Sequence, residues 1–180
     1  MKGNKKEGEI TFYYDSKKLF NDISLLSAYM VKNLAKETGS MLDEFAISED
    51  EKNVYDVCVE QALPNIWEIL LKVSNYVEDA FGIVEVKVKE NSGLKREVGT
   101  YVEFNIQNNG SYNENVLALV DSTLGECVKY GVLSEFYSIN VNADLHKIAR
   151  AKFSNGLNQL NSRLFQLKKK PISPLEIVKE

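Results

Sequence analysis

The chain has 180 residues, of which 22 are lysine or arginine, 26 are aspartate or glutamate, and 44% are hydrophobic. This composition is typical of one folded domain that buries enough apolar surface to need no metal or disulfide. With one histidine and two cysteines, the chain cannot hold a zinc site built from several histidine or cysteine ligands.

The first segment predicts a strand followed by a helix. Residues 10–14 (ITFYY) are rich in the β-branched and aromatic side chains that favour strands. Residues 16–38 then carry apolar side chains at spacings of three and four, which indicates one face of an α-helix. Gly39 follows and predicts a left-handed end to this helix.

A second, long helix is predicted to begin after Ser48 and to continue to about Ala80. Ser48 and Glu51 have the spacing of a capping box, in which each side chain accepts a hydrogen bond from the other residue's backbone. Pro64 interrupts the apolar pattern, and a proline ring removes one helical hydrogen bond. Two outcomes stay open: one helix with a kink between Glu60 and Pro64, or two shorter helices.

Beyond residue 83 the apolar period changes from near 3.6 to near 2. Valines at 84, 86 and 88 alternate with charged residues, and a second alternation covers residues 102–106. This pattern predicts a β-hairpin over residues 83–107. Because an isolated hairpin is marginally stable in water, it needs a helix layer or a further strand, for which residues 10–14 are the candidate.

Two more helices are predicted, over about residues 114–137 and from the cap residue Asn142 to about residue 167. Gly125 and Gly131 are expected to weaken the third helix. The predicted fold class is α+β, with a mainly helical four-helix core and a small antiparallel sheet inserted between helices two and three. The predicted domain covers residues 1–167, and an extended tail covers residues 168–180.

The tail combines two prolines, which favour an extended path, with apolar side chains. Its candidate partner-docking residues are Ile172, Leu175, Ile177 and Val178. A short apolar segment of this kind docks on a neighbour as an added strand or as a groove-bound peptide. The alternative is a disordered end without a binding role.

The sequence favours no catalytic, metal or cofactor site, and we expect a protein that is not an enzyme. His146 is the one imidazole and is expected to be a solvated or capping side chain. Cys58 and Cys127 lie on apolar helix faces and are predicted to be reduced core residues, which implies a cytoplasmic setting. We expect a soluble protein, since no apolar run approaches the roughly 20 residues of a membrane span and no secretory signal is present.

Charge is unevenly distributed along the chain. Residues 19–90 contain six basic and fourteen acidic groups, a net charge of −8, whereas residues 141–180 contain eight and three, a net charge of +5. The predicted acidic face comprises Asp43, Glu44, Glu49, Asp50 and Glu51. The predicted basic face comprises Lys147, Arg150, Lys152, Arg163, Lys168, Lys169 and Lys170.

Two arrangements of these charges stay open. The basic last helix could pack beside the acidic second helix of the same monomer, which would require no partner. Alternatively, the acidic and basic faces lie on opposite sides of the molecule, which favours head-to-tail contacts between copies.

The basic residues also define an alternative function: a small cytoplasmic interaction or regulatory module that contacts nucleic acid through the last helix. Against this alternative, the basic residues do not share one helix face, and the sequence pI is about 5.3.

The order of the elements, the acidic segment LDEFAI (residues 42–47) before the long helix, the strand-rich insert and the tail resemble the ring-forming head-to-tail adaptor, or connector, proteins of short-tailed bacteriophages. Residues 55–71 also resemble virion proteins of phages of gut Bacteroidales, including crAss-like phages. The resemblance implies a structural virion subunit, assembled in the host cytoplasm, that forms a dodecameric homo-oligomeric ring beneath the portal. It further implies contacts with the portal and with other neck or tail proteins, and a negatively charged lumen through which genomic DNA passes without specific binding.

Overall fold

A computed structural model of the chain describes residues 9–39, 45–75, 84–90, 100–107 and 113–168. In chain order its elements are β1 (Glu9–Asp15), α1 (Ser16–Thr38), α2 (Lys52–Asn75), β2 (Val84–Glu90), β3 (Thr100–Gln107), α3 (Glu114–Ile139) and α4 (Ala143–Lys168). A short 3-10 turn, Glu49–Glu51, leads into α2. The predicted mainly helical architecture with four helices is confirmed.

The ends of α1 lie where the sequence predicts them. Asp15 caps the first turn, because its carboxylate accepts a hydrogen bond of 2.9 Å from the backbone N–H of Lys18. Gly39 ends the helix at a φ of 68°, in the left-handed region, and its N–H donates to the carbonyl oxygen of Ala35 at 2.8 Å.

The start and the continuity of α2 are also defined. The capping box is confirmed, and in it the backbone N–H of Ser48 donates to the Glu51 carboxylate at 3.1 Å. Pro64 lies within one continuous helix over Lys52–Asn75, so the structure selects one long helix and not two shorter ones. The predicted extension to Ala80 lies outside the described residues.

The three strands form an antiparallel sheet in the order β1-β3-β2. Phe104 at the centre of β3 lies opposite Phe12 of β1 and opposite Val86 of β2. Alternate side chains of β1 and β3 are buried, as expected for strands that turn one face to a core. Strand formation by residues 10–14 is confirmed. The residues that join β2 to β3, 91–99, lie outside the described residues, so the hairpin as a complete unit stays a prediction.

Helix α3 is the central element, and α4 runs antiparallel to it. Arg163, near the end of α4, contacts Leu119 near the start of α3, while His146 near the start of α4 contacts Ser134 near the end of α3. The backbone N–H of Asn113 also donates to the carbonyl oxygen of Leu167 at 2.9 Å, which places the end of α4 level with the start of α3.

Helix α2 is antiparallel to α3 and therefore parallel to α4. Burial and the nearby Glu135 carboxylate of α3 raise the pKa of the Cys58 thiol of α2, and Ala62, one turn further along α2, lies beside Gly131 of α3. A Cβ on Gly131 would lie 3.0 Å from the Cβ of Ala62 and 3.1 Å from the Phe153 ring of α4. Gly131 thus permits three helices to approach closely, a packing role that its low helix propensity does not reveal.

Both cysteines are free and buried, which confirms their predicted place in the core. Within the described parts of the chain, no helix is long and apolar enough to cross a membrane.

Candidate functional site

A surface pocket of about 260 Å³ lies between the end of β1, the start of α1 and the middle of α3. Six of its lining residues have charged side chains: the carboxylates Asp15, Asp22, Asp121 and Glu126, and the amines Lys18 and Lys129. Carboxylates therefore outnumber amines by four to two, and the pocket carries a net negative charge.

Tyr14 connects the sheet to α3 at this pocket. Its hydroxyl oxygen lies 2.8 Å from both the backbone carbonyl oxygen and the carboxylate of Asp121. Burial, together with the Asp121 carboxylate, raises the pKa of Tyr14 far above its usual range. The phenol thus stays protonated and donates a hydrogen bond that holds Asp121 in place.

Gly125 permits this contact. A Cβ at position 125 would lie 3.1 Å from the Tyr14 ring, so even an alanine there would require the ring to shift by a few tenths of an ångström. On its other side the Tyr14 ring packs edge-on against Phe104 of β3, with 6.3 Å between the ring centroids.

The charges of the pocket are not fully balanced. Lys129 is shared by two carboxylates, with its Nζ 3.5 Å from Asp22 and 3.3 Å from Glu126. Asp15 caps α1 and Asp121 accepts from Tyr14, and neither carboxylate has an ion-pair partner among the described residues. The pocket therefore has unpaired negative charge that suits a cationic group.

The predicted basic residues do not form one face of α4. At 3.6 residues per turn, Arg150 and Arg163 flank the buried stripe of α4 on opposite sides, and the exposed Lys147 points away from it. Lys152 is exposed on the Arg163 side. The Lys168 position ends α4, and residues 169 and 170 lie outside the described residues.

Both arginines of this set, Arg150 and Arg163, contact other residues of the same chain. Arg163 is half-buried, and its Nη1 donates to the carbonyl oxygen of Leu119 at 2.8 Å and to the hydroxyl of Thr123. Arg150 lies 4.0 Å from the carboxylate of Glu135 and 5.9 Å from the centroid of the Phe153 ring. Both side chains thus contribute to packing between helices as well as to surface charge.

The acidic residues of the predicted face have separate roles. Glu49 and Asp50 are exposed in the 3-10 turn before α2, and Glu51 belongs to the capping box. Asp43 and Glu44 lie outside the described residues. The docking residues predicted for the tail also lie outside: Ile172, Leu175, Ile177 and Val178.

His146 differs from the solvated or capping side chain that the sequence predicts. It is half-buried, and its Nδ1 lies 2.9 Å from the carbonyl oxygen of Ser134. Since a carbonyl oxygen only accepts, this nitrogen donates, and the imidazole joins α4 to α3. Among the described residues, no group of three or more histidine, cysteine or carboxylate side chains is placed to hold a metal ion.

Sequence reasoning missed the pocket. Tyr14 and Asp121 are 107 positions apart, and no periodic pattern links them. The one local signal was Gly125 in the middle of a helix, because an interior glycine often marks a close approach of another element.

Comparison with family models, with curated proteins and with solved structures finds no match to this chain.

Proposed function

We propose that this chain is a non-enzymatic structural subunit that assembles with copies of itself into a ring at the head-to-tail connection of a bacteriophage virion, beneath the portal. The observation that supports self-assembly is the separation of the charged segments. Because α2 and α4 are parallel, the acidic turn Glu49–Glu51 and the end of α4, after which the lysine run 168–170 follows in the sequence, lie at opposite ends of the helical bundle. The other predicted basic residues near the start of α4, Lys147, Arg150 and Lys152, lie at the same end as the acidic turn. The 24 residues of α2 span about 36 Å.

Helices α2 and α4 do pack beside each other within one chain, at Gly131 of α3, as the arrangement that needs no partner expects. Their parallel directions, however, separate the acidic turn before α2 from the end of α4, after which the lysine run 168–170 follows in the sequence. A basic segment and acidic segments on different parts of one surface favour contact between unlike surfaces of two copies. Repetition of such a heterologous contact closes into a ring when the rotation between copies permits it. The proposed assembly is a dodecamer, by resemblance to the adaptor proteins, with contacts to the portal and to other neck proteins.

The finer description of the fold belongs to the same proposal. We place the chain in the α+β class, with β2 and β3 as a hairpin inserted between α2 and α3. The antiparallel pairing of these strands supports the hairpin. In a ring, an inserted hairpin would project toward an adjacent layer of the neck.

The alternative function, contact with nucleic acid through α4, receives less support. A phosphate-binding stripe requires several basic side chains on one surface, whereas those of α4 lie on different sides of the helix. Arg163, moreover, donates its hydrogen bonds to α3. Titration of DNA binding with salt distinguishes the functions, because a steep loss of affinity is expected only of a phosphate-contacting surface.

The direct test is the mass of the purified chain by light scattering over a range of concentrations, with electron microscopy of the same samples. We expect a mass that rises to a closed oligomer and ring-shaped particles. A variant that lacks residues 171–180 should assemble more weakly and keep its helical circular dichroism. A strict monomer at all concentrations, with and without a portal protein, would contradict the proposal.

A further inference from the structure

The pocket between β1, α1 and α3 has the shape and charge of a receptor for an alkylammonium group. Its volume of about 260 Å³ is sufficient for one or two side chains. The carboxylates of Asp15 and Asp121, neither of which forms an ion pair with a residue that the structure describes, supply negative charge. The ring of Tyr13, which is 53% exposed, supplies an aromatic surface. Carboxylates beside a tyrosine ring favour a lysine ammonium through charge and through cation–π attraction.

The longest run of consecutive lysines in the sequence is at positions 168, 169 and 170. We propose that the pocket receives this lysine run from a second copy of the chain. This inference rests on the proposed assembly and identifies one of its contacts.

The lysine run is poorly placed for the pocket of its own chain. The end of α4 is level with the start of α3, at the hydrogen bond between Asn113 and Leu167. Asp121 and Gly125 of the pocket are eight and twelve residues further along α3, which corresponds to about 12 and 18 Å. Position 170 is only two residues beyond the end of α4, a reach of about 7 Å for a fully extended backbone.

Helix α4 and the pocket also lie on opposite sides of α3. Arg163 of α4 contacts Leu119 and Thr123, whereas Tyr14 of the pocket contacts Asp121 and Gly125. On a helix, positions two residues apart point in nearly opposite directions. For a lysine of the same chain to enter the pocket, the backbone after α4 would have to extend along α3 and pass around it. A lysine of a second copy approaches the pocket from outside and needs no such path.

The acidic turn before α2 is a weaker candidate receptor. Glu49 and Asp50 are exposed in the turn, where water and salt screen their charge, and Glu51 is engaged in the capping box. The pocket carboxylates are held in a concave site, with Asp121 oriented by Tyr14 and Asp15 oriented by the first turn of α1.

A labelled synthetic peptide of residues 167–180, LKKKPISPLEIVKE, tests the proposal by fluorescence anisotropy with the full-length chain. The decisive variant is the double substitution Asp15→Asn with Asp121→Asn. It removes two charges, while each asparagine oxygen still accepts the hydrogen bond from Lys18 or Tyr14. Its thermal unfolding, followed by circular dichroism, establishes that it folds.

We expect the wild-type chain to bind the peptide and the double variant to bind it about tenfold more weakly. The matched control, Glu60→Gln with Asp144→Asn, removes two exposed carboxylates outside the pocket and should bind as the wild type does. A peptide whose three lysines are replaced by glutamine should lose affinity for the wild-type chain to a similar extent.

Equal affinity of the double variant and the control, or no binding of the peptide at millimolar concentration, would overturn the pocket assignment. Electron microscopy of the double variant separates this result from the fate of the ring. Rings that form unchanged in the double variant contradict the pocket and leave the proposed function in place. Pocket-dependent peptide binding by a chain that stays monomeric contradicts both the ring and a second copy as the source of the lysines, and retains the pocket only as a binding site for a lysine-containing peptide.

Discussion

At the scale of single residues, Val141 occupies a position that suits glycine. It follows α3 with a φ of 54°, and its N–H donates to the carbonyl oxygen of Ser138 while that of Asn142 donates to Tyr137. These two hydrogen bonds form a Schellman motif, in which the left-handed residue is usually glycine. A β-branched residue in this conformation costs about 1–2 kcal/mol.

Val141→Gly removes this strain but also increases the conformational entropy of the unfolded chain, which offsets part of the gain. We therefore expect the substitution to raise the free energy of unfolding by about 1 kcal/mol. The side chain is 88% exposed, so its loss removes little packing. Urea denaturation measures the change. Val141→Ala is the control, because alanine keeps the left-handed strain, and equal stability of the two variants would contradict the argument.

The buried thiols predict a loss of stability at alkaline pH. Burial raises the pKa of Cys58 and of Cys127 from 9.0 to about 12 in the folded chain. The unfolded chain releases these protons at lower pH, so their contribution to stability is complete below pH 9 and is lost as the pH rises toward 12. Each thiol lowers the free energy of unfolding by at most about 1.4 kcal/mol per pH unit in this range.

Urea denaturation between pH 8 and pH 11, under reducing conditions, should show this decline. The double variant Cys58→Ala with Cys127→Ala should have lower stability at pH 8 and a shallower decline above pH 9. Some decline should remain, because burial also raises the pKa of Tyr137 to about 12. A variant whose decline is as steep as that of the wild type would show that the thiols do not cause it.

At the scale of elements, the side chain of Arg163 connects α4 to α3 through hydrogen bonds. Its guanidinium donates to the carbonyl oxygen of Leu119, which also accepts from the hydroxyl of Thr123 at 2.7 Å. Arg163→Ala should lower the free energy of unfolding by about 1–2 kcal/mol, because it removes charge-assisted hydrogen bonds and the packing of the arginine stem.

The matched control is Lys152→Ala, which removes the same charge from an exposed position of the same helix and should change stability by less than about 0.5 kcal/mol. Thermal and urea unfolding compare the two variants. Equal effects would mean that Arg163 acts as a surface charge and not as a contact between helices.

Helix ends that are set by residues adjacent in the sequence could be predicted from the sequence. Asn142 accepts a hydrogen bond of 3.0 Å from the backbone N–H of Leu145, and Ser48 forms its capping box, as their positions before helical patterns indicate. The contacts between elements could not be predicted, because Gly125 and Gly131 in α3 have low helix propensity and their close approaches become visible only when β1, α2 and α4 are in place.

At the scale of the whole molecule, two surfaces are candidates for the proposed contact between copies. One is electrostatic and comprises the pocket and the lysine run 168–170. The other is apolar and comprises Leu25 and Tyr29, which are one turn apart on α1 and are 72% and 63% exposed. Exposed apolar side chains in adjacent turns can contribute to an interface, so this apolar surface is the alternative to the electrostatic one.

Salt distinguishes the two surfaces. If charge holds the copies together, the dissociation constant for self-association should rise at least about fivefold between 0.05 and 0.5 M NaCl, because the screening length falls below the size of the contact. Analytical ultracentrifugation measures this constant for the wild type and for a Leu25→Gln, Tyr29→Gln variant, which should assemble normally. Assembly that resists salt and is lost in this variant would place the contact on the outer face of α1.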